Sequence, residues 1–303
     1  MTLEYYGWRA EPRVQITDAF PFILITGLLI RGDAKQPLAQ EARKKVRRMK
    51  SGLAILLLAI LVLSASEASS SGSRATCKKS KLFTVQNIIA WSTPSSARGF
   101  FYKSGLAIDA DGAFRAYHPN DRLGLDSLAH AGHGGNWWAL VTDNEKTSGR
   151  PVVQGKSDPA PGYYVSTTAL YDPDNPNRRD PHRYVDAVKI PYVVLHPKAL
   201  NYARLGDFAT VVNFQNGKIS AALVADESAP GLPVGEGSIA LAEALGIDSS
   251  PRNGGKGEAV AYLIYPGSGN GRPRPLREIV ANSKQLFEAW GGLDRLNACL
   301  AGE

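Results

Sequence analysis

At 303 residues and 32.6 kDa, with 44% apolar and 21% charged residues, the chain has the composition of a globular protein of one or two domains, which excludes wholesale disorder and collagen-like repetition. A net charge of +7 and a pI near 9.3 point first to a polyanion, but the first fifty residues hold ten Lys or Arg against five Asp or Glu. From Ser69 onward the chain carries only +3, too little for an electrostatic footprint on nucleic acid, and no such partner is expected.

The uneven charge has a source. Arg43-Lys44-Lys45-Val46-Arg47-Arg48 precede Met49-Lys50, an apolar run follows from Leu53 to Leu63, and small residues end it at Ser64-Ala-Ser-Glu-Ala68. Basic start, apolar run and small cleavage residues make 49–68 a signal peptide, and the run is far below the roughly 20 residues that a spanning helix needs. A secreted or periplasmic protein without a stable membrane anchor is expected. Residues 1–48 contain a short apolar run, Phe20 to Ile30, broken by Pro21 and Gly27, with neither periodicity nor cap; they read as a misassigned upstream extension, with translation starting at Met49. Ser69-Ser-Ser-Gly-Ser73 opens a linker over 69–80, and 81–303 reads as one domain. In an oxidising compartment Cys77 and Cys299 could form one bridge tying its two ends; two free thiols are the alternative.

Within that domain the signals are mainly β. Tyr163 to Leu170, Val185 to Leu195, Ala209 to Phe214, Ile219 to Ala225 and Ala259 to Tyr265 are short runs rich in β-branched and aromatic residues, bounded by Gly, Pro, Asn and Asp. Asn216-Gly217 predicts a hairpin with a type I′ turn, which needs positive φ at both central residues. Two stretches read as helices: 238–245, capped by Ser238 and stopped by Gly246, and 276–290, with Ile279, Val280, Leu286 and Phe287 on one face.

Several motifs fail on inspection. Gly149 to Ser157 is one residue too long for a phosphate loop and contains Pro151, while Gly267-Ser-Gly-Asn-Gly271 runs into Arg-Pro-Arg-Pro rather than a helix. His130-Ala-Gly-His133 has no Cys or Glu at ligand spacing, so a solvated or substrate-lining pair is expected rather than a metal site. The carboxylates are more informative. Ile219 to Asp226 delivers an acid at the end of an apolar strand, and ten residues on Gly235-Glu236-Gly237 delivers a second just before a helix. Two carboxyl groups converging on one cleft are what glycosidic hydrolysis needs, one protonating the leaving oxygen and the other activating water or attacking the sugar; an Asp closing a strand can equally be a turn former.

The stretch Asn216-Gly-Lys-Ile-Ser-Ala-Ala-Leu-Val-Ala-Asp226 through Val234-Gly-Glu236-Gly-Ser-Ile-Ala-Leu-Ala resembles the catalytic segment of the fungal-type chitosanases, glycoside hydrolase family 75. Supporting pieces are Ile190-Pro191-Tyr192-Val193-Val194 and Ala107-Ile-Asp109-Ala-Asp111-Gly112-Ala113, so the resemblance runs over about 80–265. It implies a secreted endo-hydrolase of β-1,4-linked glucosamine polymers, inverting and without a cofactor, with Asp226 and Glu236 as the catalytic pair. By analogy it also implies a mainly β fold with a few helices: a six-stranded double-psi β-barrel-like single catalytic domain over 81–303. The loop from Glu227 to Pro233 and the insertion from His130 to Pro161 depart from the family pattern.

Glu236 is expected to be the acid, since its apolar neighbours would raise its pKa, and Asp226 the base. Chitosan is a polycation, so carboxylates should line its groove, and Asp109, Asp111, Asp143, Asp172, Asp174 and Asp186 qualify by position; Asp109-x-Asp111-Gly112 could equally be a simple turn or a fragment of a calcium loop. Trp137, beside Trp138, would stack on sugar faces, as would Tyr164 on one face of a strand. No metal and a monomer acting on a polysaccharide are expected. A double-psi barrel that only binds glycans, or one that lyses peptidoglycan with a single acid, is the rival reading; two carboxylates favour hydrolysis.

Overall fold

Lys218–Glu227 (β8) is apolar along nearly its whole length, where a one-sided strand would alternate. The reason is that it is buried on both faces, against the interior of a barrel and against two helices packed outside. This computed structural model describes residues 77–94, 98–232 and 234–301. The expected upstream extension, signal peptide and linker residues up to 76 lie outside the described residues; residues 77–80, expected in the linker, hold a disulfide and the start of the first strand.

Among the described residues ten strands occur in chain order: β1 Ser80–Val85, β2 Ile88–Ser92, β3 Phe100–Asp109, β4 Gly132–His133, β5 Asn136–Trp137, β6 Tyr192–Leu195, β7 Phe208–Asn213, β8, β9 Glu236–Ser238 and β10 Lys256–Ile264. Six of them, ordered β3-β10-β7-β8-β6-β9, form a barrel that closes where β9 pairs with β3. Two of its pairings are parallel, β6 with β8 and β3 with β9, and four antiparallel. The mainly β architecture with a closed six-stranded barrel is thus the expected one. The hairpin β1-β2 extends the sheet outside the barrel through two pairings to β3.

Among the described residues there are four α-helices: α1 Pro197–Leu200, α2 Ile239–Leu245, α3 Leu276–Trp290 and α4 Gly292–Leu300. Ser238 caps α2 by accepting from the Leu241 amide, and Gly246 ends it in the left-handed region at φ 64°. Ile279, Ser283, Phe287 and Trp290 form the buried stripe of α3, which packs on β7 and β8. Among the described residues no helix is long and apolar enough to cross a membrane.

Three expectations are corrected. Tyr163 to Leu170 forms only isolated bridges, Leu140 to Ser166 and Val153 to Tyr164, within a long irregular stretch between β3 and β6. Of Val185 to Leu195 only Tyr192–Leu195 is strand, because Asp186 turns the chain and Pro191 lacks a donor. The hairpin at Asn216-Gly217 exists, but its loop runs over 214–217 with Gly217 alone at positive φ, 71°. Asn216 instead donates from its side chain to the Leu245 carbonyl at the end of α2.

Cys77 and Cys299 are bridged across a sequence separation of 222, joining the residues before β1 to α4. The Lys79 ammonium donates to the Cys299 carbonyl beside the bridge, 2.7 Å. Replacing both cysteines by serine is expected to lower the unfolding free energy by at most about 5.5 kcal/mol, the loop-closure value for so long a loop. A chemical denaturation midpoint unchanged by the double substitution would contradict this.

Candidate active site

Strands β3, β9, β6 and β8 stand side by side in that order. Val194 on β6 pairs with Glu236 on one side and with Asp226 on the other, so both carboxylates stand at one level of the barrel. Glu236 also pairs with Ala107, two residues before Asp109. Directly paired residues and residues two apart project from the same face, so Asp109, Glu236 and Asp226 share one. Two strand spacings put the Cα atoms of Asp226 and Glu236 ~9.6 Å apart. Gly235, which delivers Glu236, has φ +104°, and a Cβ there would lie 2.3 Å from Ser104 Oγ and 2.5 Å from the Gly105 carbonyl. Only glycine lets the chain enter β9 this close to β3.

Asp226 is buried at the end of β8. Its Oδ1 accepts from the backbone amides of Ala169, 3.0 Å, and Glu227, 2.8 Å, while Oδ2 is buried without a hydrogen-bond partner. Asp109 is equally buried and accepts the Asp111 amide, 2.8 Å, and the Tyr192 hydroxyl, 3.0 Å. Asp111 accepts the Tyr117 hydroxyl, 2.7 Å. Glu236 is half-buried, with no side-chain hydrogen bond among the described residues.

Burying four carboxyl groups together makes their ionisation costly, and all four shift upward. Burial first and then Asp109 and Asp126 push Glu236 up to about 8. Asp109 rises to about 6, through burial opposed by its two hydrogen bonds. Burial raises Asp111 well above the usual range, with Asp109, Asp226 and Glu236 adding to it. Burial and Asp109 raise Asp226 as well, against two backbone amides that favour its anion. One oxygen from each of Asp109, Asp111 and Asp226 lies within 4.8 Å of the others, the donor set of a hard cation site. Two tyrosine hydroxyls already donate to two of these three carboxylates.

The other expected residues are dispersed. Asp186 is a turn former, accepting the Val188 amide at 3.0 Å and pairing with Lys189 at 2.9 Å. Asp143 pairs with Arg150 and Asp174 with Arg272 on exposed loops, and Asp172 accepts the Asp174 amide. Tyr164 packs on the hydrophobic core. His130 holds the buried Asp126 at 2.9 Å, while His133 meets Trp138 edge to face. Trp137, on β5, lines a cavity of about 320 Å³ that also takes in Thr168 and Ala169, the residue whose amide holds Asp226. Its ionic lining is Glu145, Lys146, Arg178 and Arg183, more basic than a groove for a polycation was expected to be. The roles of Tyr117, Tyr192 and Asp126 at the site were not read from the sequence; Tyr192, seen only as part of the family resemblance, reaches Asp109 across 83 positions.

A family model described as fungal chitosanase of glycosyl hydrolase group 75 matches residues 154–290, the stretch that holds Asp226 and Glu236. Comparison with curated proteins finds no match.

The raised carboxyls make stability depend on pH in a definite direction. Glu236 ionises near its ordinary 4.5 when unfolded and at about 8 when folded, so between these values the folded state binds more protons and stability falls as pH rises. The melting temperature is therefore expected to be highest near pH 4 to 5 and to decline towards pH 8. Glu236→Gln, uncharged throughout, should flatten the decline; a wild-type melting temperature that rises over this interval would contradict it.

Proposed function

We propose that this chain, a chitosanase-like glycoside hydrolase of group 75, is exported through the leader at 49–68 and cleaves β-1,4-linked glucosamine polymer internally with inversion, Glu236 acting as acid and Asp226 as base. What supports the reading is the pairing of both carboxylates with Val194, one strand to either side. Inverting glycosidases hold their carboxyl groups ~6.5 to 9.5 Å apart so that a water fits behind the sugar, and side chains on one face, two strands apart, can bring their carboxyl groups into that range.

The roles follow from the surroundings of each group. Among the described residues Glu236 accepts no hydrogen bond that would favour its anion, and its pKa of about 8 keeps it protonated at neutral pH. It therefore has a proton for the leaving oxygen. Burial and Asp109 raise Asp226, and the two amides on its Oδ1 are what favours the anion there. Its partnerless Oδ2 is then the atom that draws a proton from the attacking water. As the bond breaks, Glu236 becomes the anion and Asp226 the acid, so the charge moves across Val194 without increasing.

Glu236→Gln and Asp226→Asn are each expected to cut kcat by about 10² to 10⁴ while the fold persists. A substrate with an activated leaving group should partly rescue Glu236→Gln, and azide should rescue Asp226→Asn, giving a product of the opposite anomeric configuration. Wild-type activity should fall above about pH 8, where Glu236 loses its proton. Near-wild-type turnover of chitosan by either variant would refute the assignment.

A further inference from the structure

The cavity beside Asp226 is built from two parts of the chain. One wall, Trp137 to Thr147, precedes the residues matched by the group 75 family, and the other, Thr167 to Tyr184, lies within them. The first wall brings Glu145 and Lys146 to the lining and the second Arg178 and Arg183, so the two walls together are net positive. Lys146, Arg178 and Arg183 stand against Glu145 alone. Arg178 is neutralised by Glu145 at 3.0 Å, which leaves the charges of Lys146 and Arg183 uncompensated within the lining.

We infer that this cavity is a sugar subsite that rejects the ammonium of a free glucosamine and takes an uncharged, N-acylated hexosamine unit, on the premise that the hydrolase reading above is correct. Like charges repel the protonated amine, whereas an acetamide carries none. The cavity also offers an apolar surface for an acyl methyl group in Trp137, Leu140 and Val141. A carboxylate-bearing sugar fits less well, because neither guanidinium offers a free fork. Arg178 is engaged by Glu145, and Arg183 lies over the Tyr171 ring at 4.1 Å and donates to the carbonyls of Asp172 and Asn175. Ala169 lines the cavity and its amide holds Asp226, so the inferred subsite is assigned to the unit beside the bond being cut.

The test is hydrolysis of chitosans of graded acetylation by the full protein, with the sugars on both sides of each cut identified by mass spectrometry after cleavage in heavy-oxygen water. Partly acetylated polymer is expected to be cut with a kcat/KM about fivefold above that of fully deacetylated polymer, with an N-acetylated unit always on the same side of the cut. Lys146→Glu, at an exposed position, removes the excess positive charge and should lower that ratio about fivefold, less at high salt. Equal or faster cleavage of deacetylated polymer, glucosamine on both sides of most cuts, or a ratio unmoved by Lys146→Glu overturns the subsite while leaving the chitosanase reading intact. Preferential cleavage of a uronic-acid-bearing oligomer overturns it in favour of an anion site. Failure to cut any glucosamine polymer overturns the functional reading and this inference together.

Discussion

Barrel closure rests on three residues. Glu236, Gly237 and Ser238 bond to β3 on one side and to β6 on the other, and without them β3 and β6 would be open edges. The side chain at the end of this short stave completes the join: Ser238 Oγ accepts the amides of Tyr192 and Leu241 and donates to the Ile190 carbonyl. One hydroxyl thus fixes β6, caps α2 and anchors the turn into the barrel. A buried group with this many partners is costly to disturb, since each orphaned partner loses its own hydrogen bond.

The candidate acid sits in this closing stave, so its position is set by the closure of the barrel itself. Asp226 is fixed differently, by the end of β8 and by an amide from the irregular stretch that precedes β6. That stretch has little regular structure, yet it is held at discrete points. Arg252 binds the carboxylate of Asp121 and the carbonyls of Gly124 and Asp126, and Gln154 donates to the carbonyls of Phe114 and Tyr164. The site therefore combines a rigid sheet, which sets the separation of the two carboxylates, with loops that set their hydrogen bonding and the shape of the neighbouring cavity.

Legibility in the sequence followed how local each determinant is. Asp226, Glu236, the Ser238 cap and the Gly246 stop were readable because a strand, a loop and a helix occupy consecutive residues there. α3 was readable from its stripe, and the disulfide was one of two open possibilities. β3 escaped notice because Lys103 and Gly105 interrupt its run, and β9 is too short to have any period. Tyr163 to Leu170 has strand composition, but no continuous partner strand lies beside it, and propensity cannot supply one. The tyrosine hydroxyl on Asp109 comes from 83 positions away and left no local signal.

The hairpin β1-β2 lies outside the barrel, so β1 is a sheet edge, and such edges invite pairing with other chains. Two side chains from the region of α1 occupy it: Lys198 donates to the Thr84 carbonyl, 3.2 Å, and Tyr202 to the Leu82 carbonyl, 3.4 Å. The pairing register of β1 also shifts between Lys81 and Phe83, which breaks the flatness that a docking strand would need. This edge is thus occupied by the molecule's own side chains, so a strand approaching β1 meets two carbonyls that are already engaged.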